Sequence, residues 1–277
     1  MRCIWMFCLA AGCSFVATAP GSTGDDAPGQ GQGQGQGGVD AGATATAPCD
    51  VTGDPSLQLC LTFDHNAVVQ DLSGNSHPVT EALNVAPITR SNGSPAATLT
   101  LASRIHVADD SKLDVAQLTI DMWIAPAPGA ITQHSWLLDN NTQYFLTYEM
   151  DGKIRCGIGS KVVTSAAAIP STGWHHVACT YGSNHELRVY VDGDRSGCLN
   201  GSSAIPTTGT DGIAIGANYS NLGTFAENYV GGIDAVHVYG RALSDIQVCT
   251  AAGQTGCRVM NCDEGGPGGP GGGPGGF

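Results

Sequence analysis

The sequence predicts an all-β fold, an antiparallel sandwich of two sheets with one short C-terminal helix. The first observation is that apolar and polar residues alternate with a period of two through most of residues 56–240. The second is the choice of acidic residues, 19 Asp against 5 Glu, because turns favour Asp and helices favour Glu. The third is that Gly, Pro or Asp interrupts every apolar run after residue 20, as short strands joined by turns require.

Strands and hairpins follow from this alternation in chain order. The pattern is clearest in residues 118–124 and 154–158, where every second side chain is apolar. Asp-Gly pairs at 151–152 and 192–193 stand beside strand-like runs. Such pairs suit tight turns that require positive φ, so we expect a hairpin at each of them.

One segment near the C-terminus has the features of a helix. Ser244 and Gln247 have the Ser-x-x-Gln spacing of a capping box, in which each side chain accepts from a backbone N–H of the other residue. Gly253 follows the apolar residues of this segment and is typical of a helix end. The sequence therefore predicts a single short helix here.

The two ends of the chain have compositions that do not support a packed core. Residues 1–19 carry one Arg followed by an apolar run, which is the pattern of a secretion signal. Residues 20–48 and 263–277 are rich in Gly with Gln or Pro and contain almost no large apolar side chain. Because such segments cannot offset the entropy of ordering, we expect a disordered tether and tail around one domain at 49–262.

The signal segment is similar to that of bacterial lipoproteins. Residues 9–13 (LAAGC) resemble the lipobox, in which the Cys is acylated and becomes the mature N-terminus. The alternative is ordinary cleavage after residues 17–19 (ATA), but Pro20 would then follow the scissile bond and fits it poorly. The resemblance implies a lipid anchor at Cys13 and an outer-membrane or cell-surface protein, whereas the alternative implies a secreted one.

Cysteine usage also indicates export. The domain at 49–262 contains an even number of cysteines, and none of them forms a Cys-x-x-Cys pair. This favours disulfides over a zinc site or a redox motif. The eight residues are Cys49, Cys60, Cys156, Cys179, Cys198, Cys249, Cys257 and Cys262.

Four segments carry a resemblance to a known family. They are WHHVACTY at 174–181, LRVYVDG at 187–193, IGA at 215–217 and GIDAVHVYGRALS at 232–244. In this order they resemble the laminin G-like jelly roll of the concanavalin A-like lectin and glucanase superfamily, the fold shared with pentraxins. LCLTFDHN at 59–66 and DLSGNSH at 71–77 are similar to the family's first strand and loop. The resemblance covers about residues 55–253 and implies a jelly-roll sandwich.

The resemblance also suggests disulfide partners. Cys156 and Cys179 lie in the middle of segments that we expect to be neighbouring antiparallel strands, and pentraxin-type relatives carry a bridged Cys at the place held by Cys179. We therefore predict a disulfide between them. The first strand and the terminal helix of this fold lie together, so we expect Cys60 to pair with Cys249.

A calcium site is a further expectation from the resemblance, because relatives often bind calcium at one edge of the sandwich. Calcium prefers carboxylate and amide oxygens. Such groups occur at the end of the predicted first strand, in the loop after it and at the start of the last strand, which pairs near the first in this fold. The expected ligands of a structural calcium ion are Asp64, Asp71, Asn75 and Asp234. The alternative is that these residues only form turns.

Aromatic residues in polar loops are the candidate ligand-binding residues. Tyr144, Tyr219 and Phe225 lie in segments rich in Asn and Thr, and a glycan site needs exposed aromatic faces among polar groups. Trp123, Trp136 and Trp174 lie within predicted strands, where we expect core residues. The predicted function is a non-catalytic, surface-anchored binding module whose partner is a glycan or a surface protein.

Two other classes of function are disfavoured. A net charge of −13 with scattered Lys and Arg gives no basic patch, so we expect no nucleic-acid partner. The Glu-x-Asp-x-Glu motif of laminarinase-type relatives is matched only by Glu149 and Asp151, because Lys153 stands in the third place. We therefore expect no enzyme. The alternatives are a structural or surface-coat domain without a ligand and a glycoside hydrolase.

Overall fold

The computed structural model describes residues 53–259, with gaps at 65–67, 128, 130–132, 142, 171, 202 and 221–222, together with Cys49 and Cys262. Cys13, the rest of the expected signal segment, the tether and the tail lie outside the described residues. Within the described part, two antiparallel sheets and one short helix are present, which confirms the predicted all-β sandwich.

The strands are numbered in chain order and divide between a larger and a smaller sheet. The eight-stranded sheet contains β1 (Leu57–Leu61), β3 (Ala86–Thr89), β4 (Pro95–Leu99), β6 (Leu118–Pro126), β11 (His175–Tyr181), β12 (Leu187–Val191), β13 (Asp194–Leu199) and β17 (Gly231–Tyr239). The seven-stranded sheet contains β2 (Val79–Leu83), β5 (Arg104–Val107), β7 (Ser135–Asn140), β8 (Tyr144–Tyr148), β9 (Ile154–Ile158), β10 (Lys161–Thr164) and β14 (Ile213–Ile215). Outside both sheets are the hairpin β15 (Asn218–Tyr219) and β16 (Phe225–Ala226), a 3-10 turn (Ser111–Leu113) and the helix α1 (Asp245–Ala251).

The strand order mixes segments from distant parts of the chain, as expected for a jelly roll. The larger sheet runs β13-β12-β11-β6-β17-β4-β3, and β1 also pairs with β17. The smaller sheet runs β10-β9-β8-β7-β14-β5-β2. The first and last strands are therefore neighbours, because β1 pairs with the C-terminal half of β17.

The core lies between the inner faces of the two sheets. Ile120, Met122 and Ile124 of β6 have no exposed surface, and they belong to one apolar cluster with Leu146 of β8 and Ile215 of β14. The alternation in the sequence thus predicts correctly which side chains of these strands face the core. Burial of this apolar surface is the main favourable contribution to folding.

The predicted turns and the helix are also confirmed. Gly152 and Gly193 have φ of +79° and +85°, the left-handed conformation that an Asp-Gly hairpin turn requires. Ser244 accepts a hydrogen bond from the backbone N–H of Gln247, and the Gln247 side chain accepts one from the backbone N–H of Ser244. The capping box therefore starts α1 where the sequence places it.

The described residues contain four disulfides, and one of them is the predicted Cys156–Cys179 pair. The prediction for Cys60 and Cys249 is wrong, because each forms a bridge within its own end of the domain. The observed pairs besides Cys156–Cys179 are Cys49–Cys60, Cys198–Cys262 and Cys249–Cys257. Disulfides of this number are typical of exported proteins.

The Cys156–Cys179 bridge differs from the expectation in its place in the fold. Cys156 lies on β9 of the smaller sheet and Cys179 lies on β11 of the larger one. Both residues are fully buried, so the bridge joins the two sheets through the core instead of joining neighbouring strands.

Replacing Cys156 and Cys179 together with alanine is expected to lower the free energy of unfolding. The bridge closes a loop with a sequence separation of 23, which on the chain-entropy model stabilises the fold by about 3 kcal/mol. Urea denaturation measures the loss. The matched control replaces Cys249 and Cys257, whose separation of 8 predicts a smaller loss. Equal stability of the Cys156/Cys179 variant and the wild type would contradict the expectation.

Candidate functional site

The candidate site lies on the outer face of the seven-stranded sheet, the face that points away from the core. On β8, Phe145 points outward because its neighbours Tyr144 and Leu146 are buried on the inner side. The strand register places Gly157 of β9 directly opposite Phe145. Five half-buried side chains on and above this face will be called the aromatic band: His106, Trp136, Phe145, Tyr219 and Phe225.

Phe145 lies against the backbone of the neighbouring strand. A Cβ atom placed on Gly157 would collide with the Phe145 ring, so only glycine leaves room for the ring in this position. The ring centroid of Trp136 lies 5.1 Å from that of Phe145, and the guanidinium carbon of Arg155 lies 5.7 Å from it. Phe145 is therefore held from three sides while part of its surface stays exposed.

Trp136 is held by a carboxylate at its polar edge. Its Nε1–H donates to Oε2 of Glu227 at 2.8 Å, and the Asn218 side-chain amide donates to the same oxygen at 3.2 Å. The His134 Nε2 atom lies 3.1 Å from this oxygen. Burial raises the pKa of Glu227, but the contacts with Trp136, Asn218 and His134 outweigh it and lower the pKa. Glu227 is thus an ionised anchor between β7 and the β15–β16 hairpin.

The other end of the aromatic band is built on that hairpin. The ring centroids of Tyr219 and Phe225 lie 4.9 Å apart, and His106 of β5 lies 4.4 Å from Tyr219. The guanidinium carbon of Arg104 lies 5.1 Å from the Phe225 ring and pairs with Glu81 at 2.7 Å. The contacts make one continuous band from β8 to β5.

A buried carboxylate fastens the hairpin to the sheet. Oδ2 of Asp139 on β7 accepts the backbone N–H of Tyr219 at 3.0 Å, and the residue is only 2% exposed. Burial raises the pKa of Asp139 to about 6, with a further contribution from the charges of Asp211 and Glu227.

Replacing Asp139 with asparagine is expected to remove one component of the pH dependence of stability. Since the folded pKa of about 6 is above the unfolded value, the protonated form is favoured by folding, and this contribution is lost as pH rises through 6. The full difference between pH 3 and pH 7 is about 3 kcal/mol. Denaturation of both proteins across this range measures it, and parallel pH profiles would contradict the assignment.

Beside the band, at the β8 end, is an open depression of about 410 Å³. Its lining mixes charges of both signs with one apolar side chain, Met150, which is 68% exposed. The lining residues are His134, Glu149, Met150, Asp151, Lys153, Arg155 and Thr164. Arg155 and His134 each lie within 7 Å of an aromatic ring of the band, so the depression and the band adjoin.

The structure separates the three aromatic residues that were predicted to bind a ligand. Tyr219 and Phe225 lie together in the aromatic band, and their role in binding stays a prediction. The prediction that Tyr144 is an exposed ligand-binding residue is wrong. Its side chain has no exposed area, and its hydroxyl donates to the Leu113 carbonyl at 3.0 Å inside the core.

The tryptophans expected in the core are half-buried on the outer faces instead. On β7 the reason is a bulge between Trp136 and Leu138, which turns Trp136 outward. Trp123 and Trp174 both lie against Arg90, whose guanidinium carbon is 4.0 Å and 5.0 Å from their ring centroids. Trp136 is therefore a site residue that the sequence reading missed.

Three of the four predicted calcium ligands, Asp71, Asn75 and Asp234, have other partners in the structure. Both oxygens of Asp71 accept hydrogen bonds, and the Asn75 amide donates to carbonyls of β1 while its oxygen accepts from Lys112 at 3.0 Å. Asp234 pairs with Arg90 at 3.0 Å. Burial raises the pKa of Asp234, Arg90 opposes this, and the nearby charge of Asp64 raises it further. The structure thus brings Asp64 near Asp234 and fixes the other two residues in their loop.

Two other groups in the described part of the chain bring possible metal ligands within 4.8 Å of one another. They are Cys49, Cys60 and His237, and Glu186, Cys198 and Cys262. In both groups the two sulfur atoms are joined in a disulfide. A metal ion needs thiolates, so the oxidised protein offers no Cys ligand at either place.

Comparison with solved structures places this architecture among known folds. Domain 4 of a GH43 extracellular arabinanase from Geobacillus stearothermophilus, solved in complex with arabinotriose, is similar with a TM-score of 0.57 and 22% identity. The match covers 71% of this chain and 98% of that one. The binding domains of Paraclostridial Mosquitocidal Protein 1 and of botulinum neurotoxin serotype C1 are similar with TM-scores of 0.57, at 18% and 12% identity. These two matches cover 72% of this chain and 52% of each toxin domain, about half its length.

At such low identities the structural likeness establishes the fold alone. A search of curated protein sequences gave no match. The model of the concanavalin A-like lectin/glucanases superfamily matches residues 92–249, which is more than half of the chain and includes every residue of the aromatic band. The chain is therefore a member of the concanavalin A-like lectin/glucanase superfamily.

Proposed function

We propose that the chain is a non-catalytic binding module for carbohydrate, alone or on a cell-surface partner, and that the aromatic band is its binding site. The observation that carries this proposal is the position of Phe145 over Gly157, with Trp136 beside it. A ring held against the sheet loses little conformational freedom when a sugar stacks on it. Hydroxyl groups of the sugar can then bond to the polar side chains around the ring.

The relatives support a binding role. The arabinanase domain was solved with a bound arabinotriose, and the toxin domains are named as binding domains. None of these relatives identifies a ligand of this chain. They do favour a role in which the sandwich presents a surface to a partner.

The side chains in the depression favour binding over hydrolysis. Two carboxyl groups must act as acid and as base or nucleophile in a glycosidase, and the acid needs a raised pKa. Burial raises the pKa of Asp151, but hydrogen bonds and the charge of Lys153 outweigh it, so the pKa is lowered. Oε1 of Glu149 accepts a hydrogen bond from Thr147 at 2.7 Å. Neither contact prepares a general acid.

Glycan-array binding of the full chain tests the proposal. We expect retention of at least one glycan by the wild type and loss of that signal in Phe145→Ala. The matched control is Ile246→Ala, which removes an exposed apolar side chain from α1, on the far side of the other sheet. Absence of binding to every glycan, or equal binding by wild type and Phe145→Ala, would contradict the proposal and favour a structural surface role.

We further propose that Cys13 is the lipid anchor of a surface protein. Support comes from the lipobox-like residues 9–13 and from the four disulfides, which are typical of export. Among the described residues, no helix has the length and apolar character needed to cross a bilayer. Metabolic labelling with a fatty-acid analogue should tag the wild type and not Cys13→Ser. Equal release of both proteins into the medium would favour plain secretion.

We also propose a structural calcium ion. A substitution of Asp64 distinguishes calcium binding from the alternative that the four residues only form turns. Asp64 is exposed and has no hydrogen-bond or ion-pair partner among the described residues, so Asp64→Asn should not disturb the apo fold. If calcium binds, calcium should raise the melting temperature of the wild type, and Asp64→Asn should reduce that rise. If chelator leaves the melting curve of the wild type unchanged, the proposed calcium site is contradicted.

A further inference from the structure

We infer that the aromatic band takes several successive sugars of an uncharged glycan chain, laid across the strands of the seven-stranded sheet. This inference rests on the proposed function and specifies the class of its ligand. It follows from two independent features of the site, the pairing of its charges and the length of the band.

The cations around the band already have carboxylate partners. Arg104 pairs with Glu81 at 2.7 Å, and Lys153 pairs with Asp151 at 3.2 Å. At the centre of the band the His134 imidazole lies 3.1 Å from Glu227. A ligand carboxylate or sulfate would have to compete with these partners for each cation.

Arg155 is the exception, since no ion pair of its side chain occurs among the described residues. Its guanidinium lies over Phe145, where it can donate to hydroxyl oxygens next to a stacked sugar. The depression beside it also contains the carboxyl groups of Glu149 and Asp151, so acceptors alternate with donors. Alternating donors and acceptors match sugar hydroxyls, each of which both donates and accepts.

The net charge of the whole chain also favours an uncharged ligand. A net charge of −13 repels polyanions at long range and slows their approach to any surface of the protein. The site carries no excess of positive charge that would overcome this repulsion. An uncharged chain avoids the penalty.

The band is longer than one sugar ring. It begins at Phe145 on β8 and ends at His106 on β5, and the sheet order places β7 and β14 between these strands. Neighbouring strands lie about 4.8 Å apart, so the band extends over about 14 Å. Its aromatic contacts form two groups, Trp136 with Phe145 and Tyr219 with Phe225, which are joined through Glu227. Two stacking groups at the ends of one band are suited to two separate rings of a single chain.

Affinity electrophoresis of the full chain tests the charge class. The probes are two neutral polysaccharides, arabinan and laminarin, and two acidic ones, polygalacturonate and chondroitin sulfate. We expect retardation by a neutral polymer, little change of that retardation with salt, and none by the acidic polymers. Stronger retardation by an acidic polymer, weakened by salt, would overturn the inference and leave the proposed function standing. Retardation by none of the four would overturn the proposed function and the inference with it.

Calorimetry with oligosaccharides of the retarding neutral polymer tests the length. We expect affinity to rise by about tenfold from disaccharide to hexasaccharide, and both Phe145→Ala and Phe225→Ala to weaken hexasaccharide binding by about tenfold. The disaccharide should respond to only one of the two variants. Ile246→Ala is the control, and melting curves verify that all variants are folded. Equal affinity for both lengths, or a hexasaccharide insensitive to Phe225→Ala, would overturn the extended site.

Discussion

Replacing Asp121 with alanine is expected to destabilise the domain by about 3 kcal/mol, because it removes a buried carboxylate that contacts the imidazoles of His237 and His176. Asp121 lies on β6 and is only 3% exposed. Its Oδ1 lies 2.8 Å from Nδ1 of His237 on β17 and 3.7 Å from Nε2 of His176 on β11. The carboxylate thus connects the three central strands of the eight-stranded sheet on their outer face.

Asp121 also determines how the free energy of unfolding is expected to depend on pH. Burial acts to raise the pKa of Asp121, but His237 and His176 outweigh burial and hold the pKa well below its usual value. Because the folded pKa is depressed, this stabilisation is present above the unfolded value near 4 and is lost as pH falls through the folded value. Urea denaturation at several pH values should show the gap between wild type and Asp121→Ala closing in acid. A difference below about 1 kcal/mol at neutral pH would show that the cluster contributes little.

Replacing Asp71 with alanine is the second large effect, with an expected loss of about 3 kcal/mol. Oδ1 accepts from the backbone N–H of Cys60 at 3.0 Å and of Ser73 at 2.9 Å. Oδ2 accepts from the Ser73 hydroxyl at 2.9 Å and from the backbone N–H of His77 at 3.0 Å. Cys60 and His77 are buried, so the variant would leave two donors unsatisfied.

These four hydrogen bonds give Asp71 a stabilising role that does not require calcium. In chelator the melting temperature of Asp71→Ala should already fall, whereas Asp64→Ala, at an exposed position, should then remain within about 0.5 kcal/mol of the wild type. Both are measured by thermal denaturation. An Asp71→Ala variant that melts like the wild type in chelator would show that the four hydrogen bonds contribute little to stability.

The general architecture was predictable because its signals are local. Alternation in 118–124 and 154–158, the two Asp-Gly turns and the capping box at Ser244 each depend on residues close in sequence. The ordered motifs from 174 to 244 then identified the family correctly. Each of these signals reports backbone conformation directly, so tertiary contacts were not needed to interpret it.

The site was less predictable because it depends on which face of a strand each side chain occupies and on contacts between residues distant in sequence. A bulge in β7 reverses the direction of Trp136, and a single unpaired residue leaves no signal in the composition. Tyr144 has polar neighbours in sequence, yet its position in β8 points it inward with Leu146. The partner of Cys60 depends on the path of residues before β1, which strand patterning does not report.

The position of the ligand is the most direct test of the account. Hydrogen–deuterium exchange of the full chain, with and without the neutral polysaccharide that retards it, would locate the contact. We expect slower exchange in β7, β8, β9 and the β15–β16 hairpin, and no change in α1 or in the loop at 71–75. Slower exchange confined to that loop and β17, with the aromatic band unchanged, would contradict the assignment of the binding site.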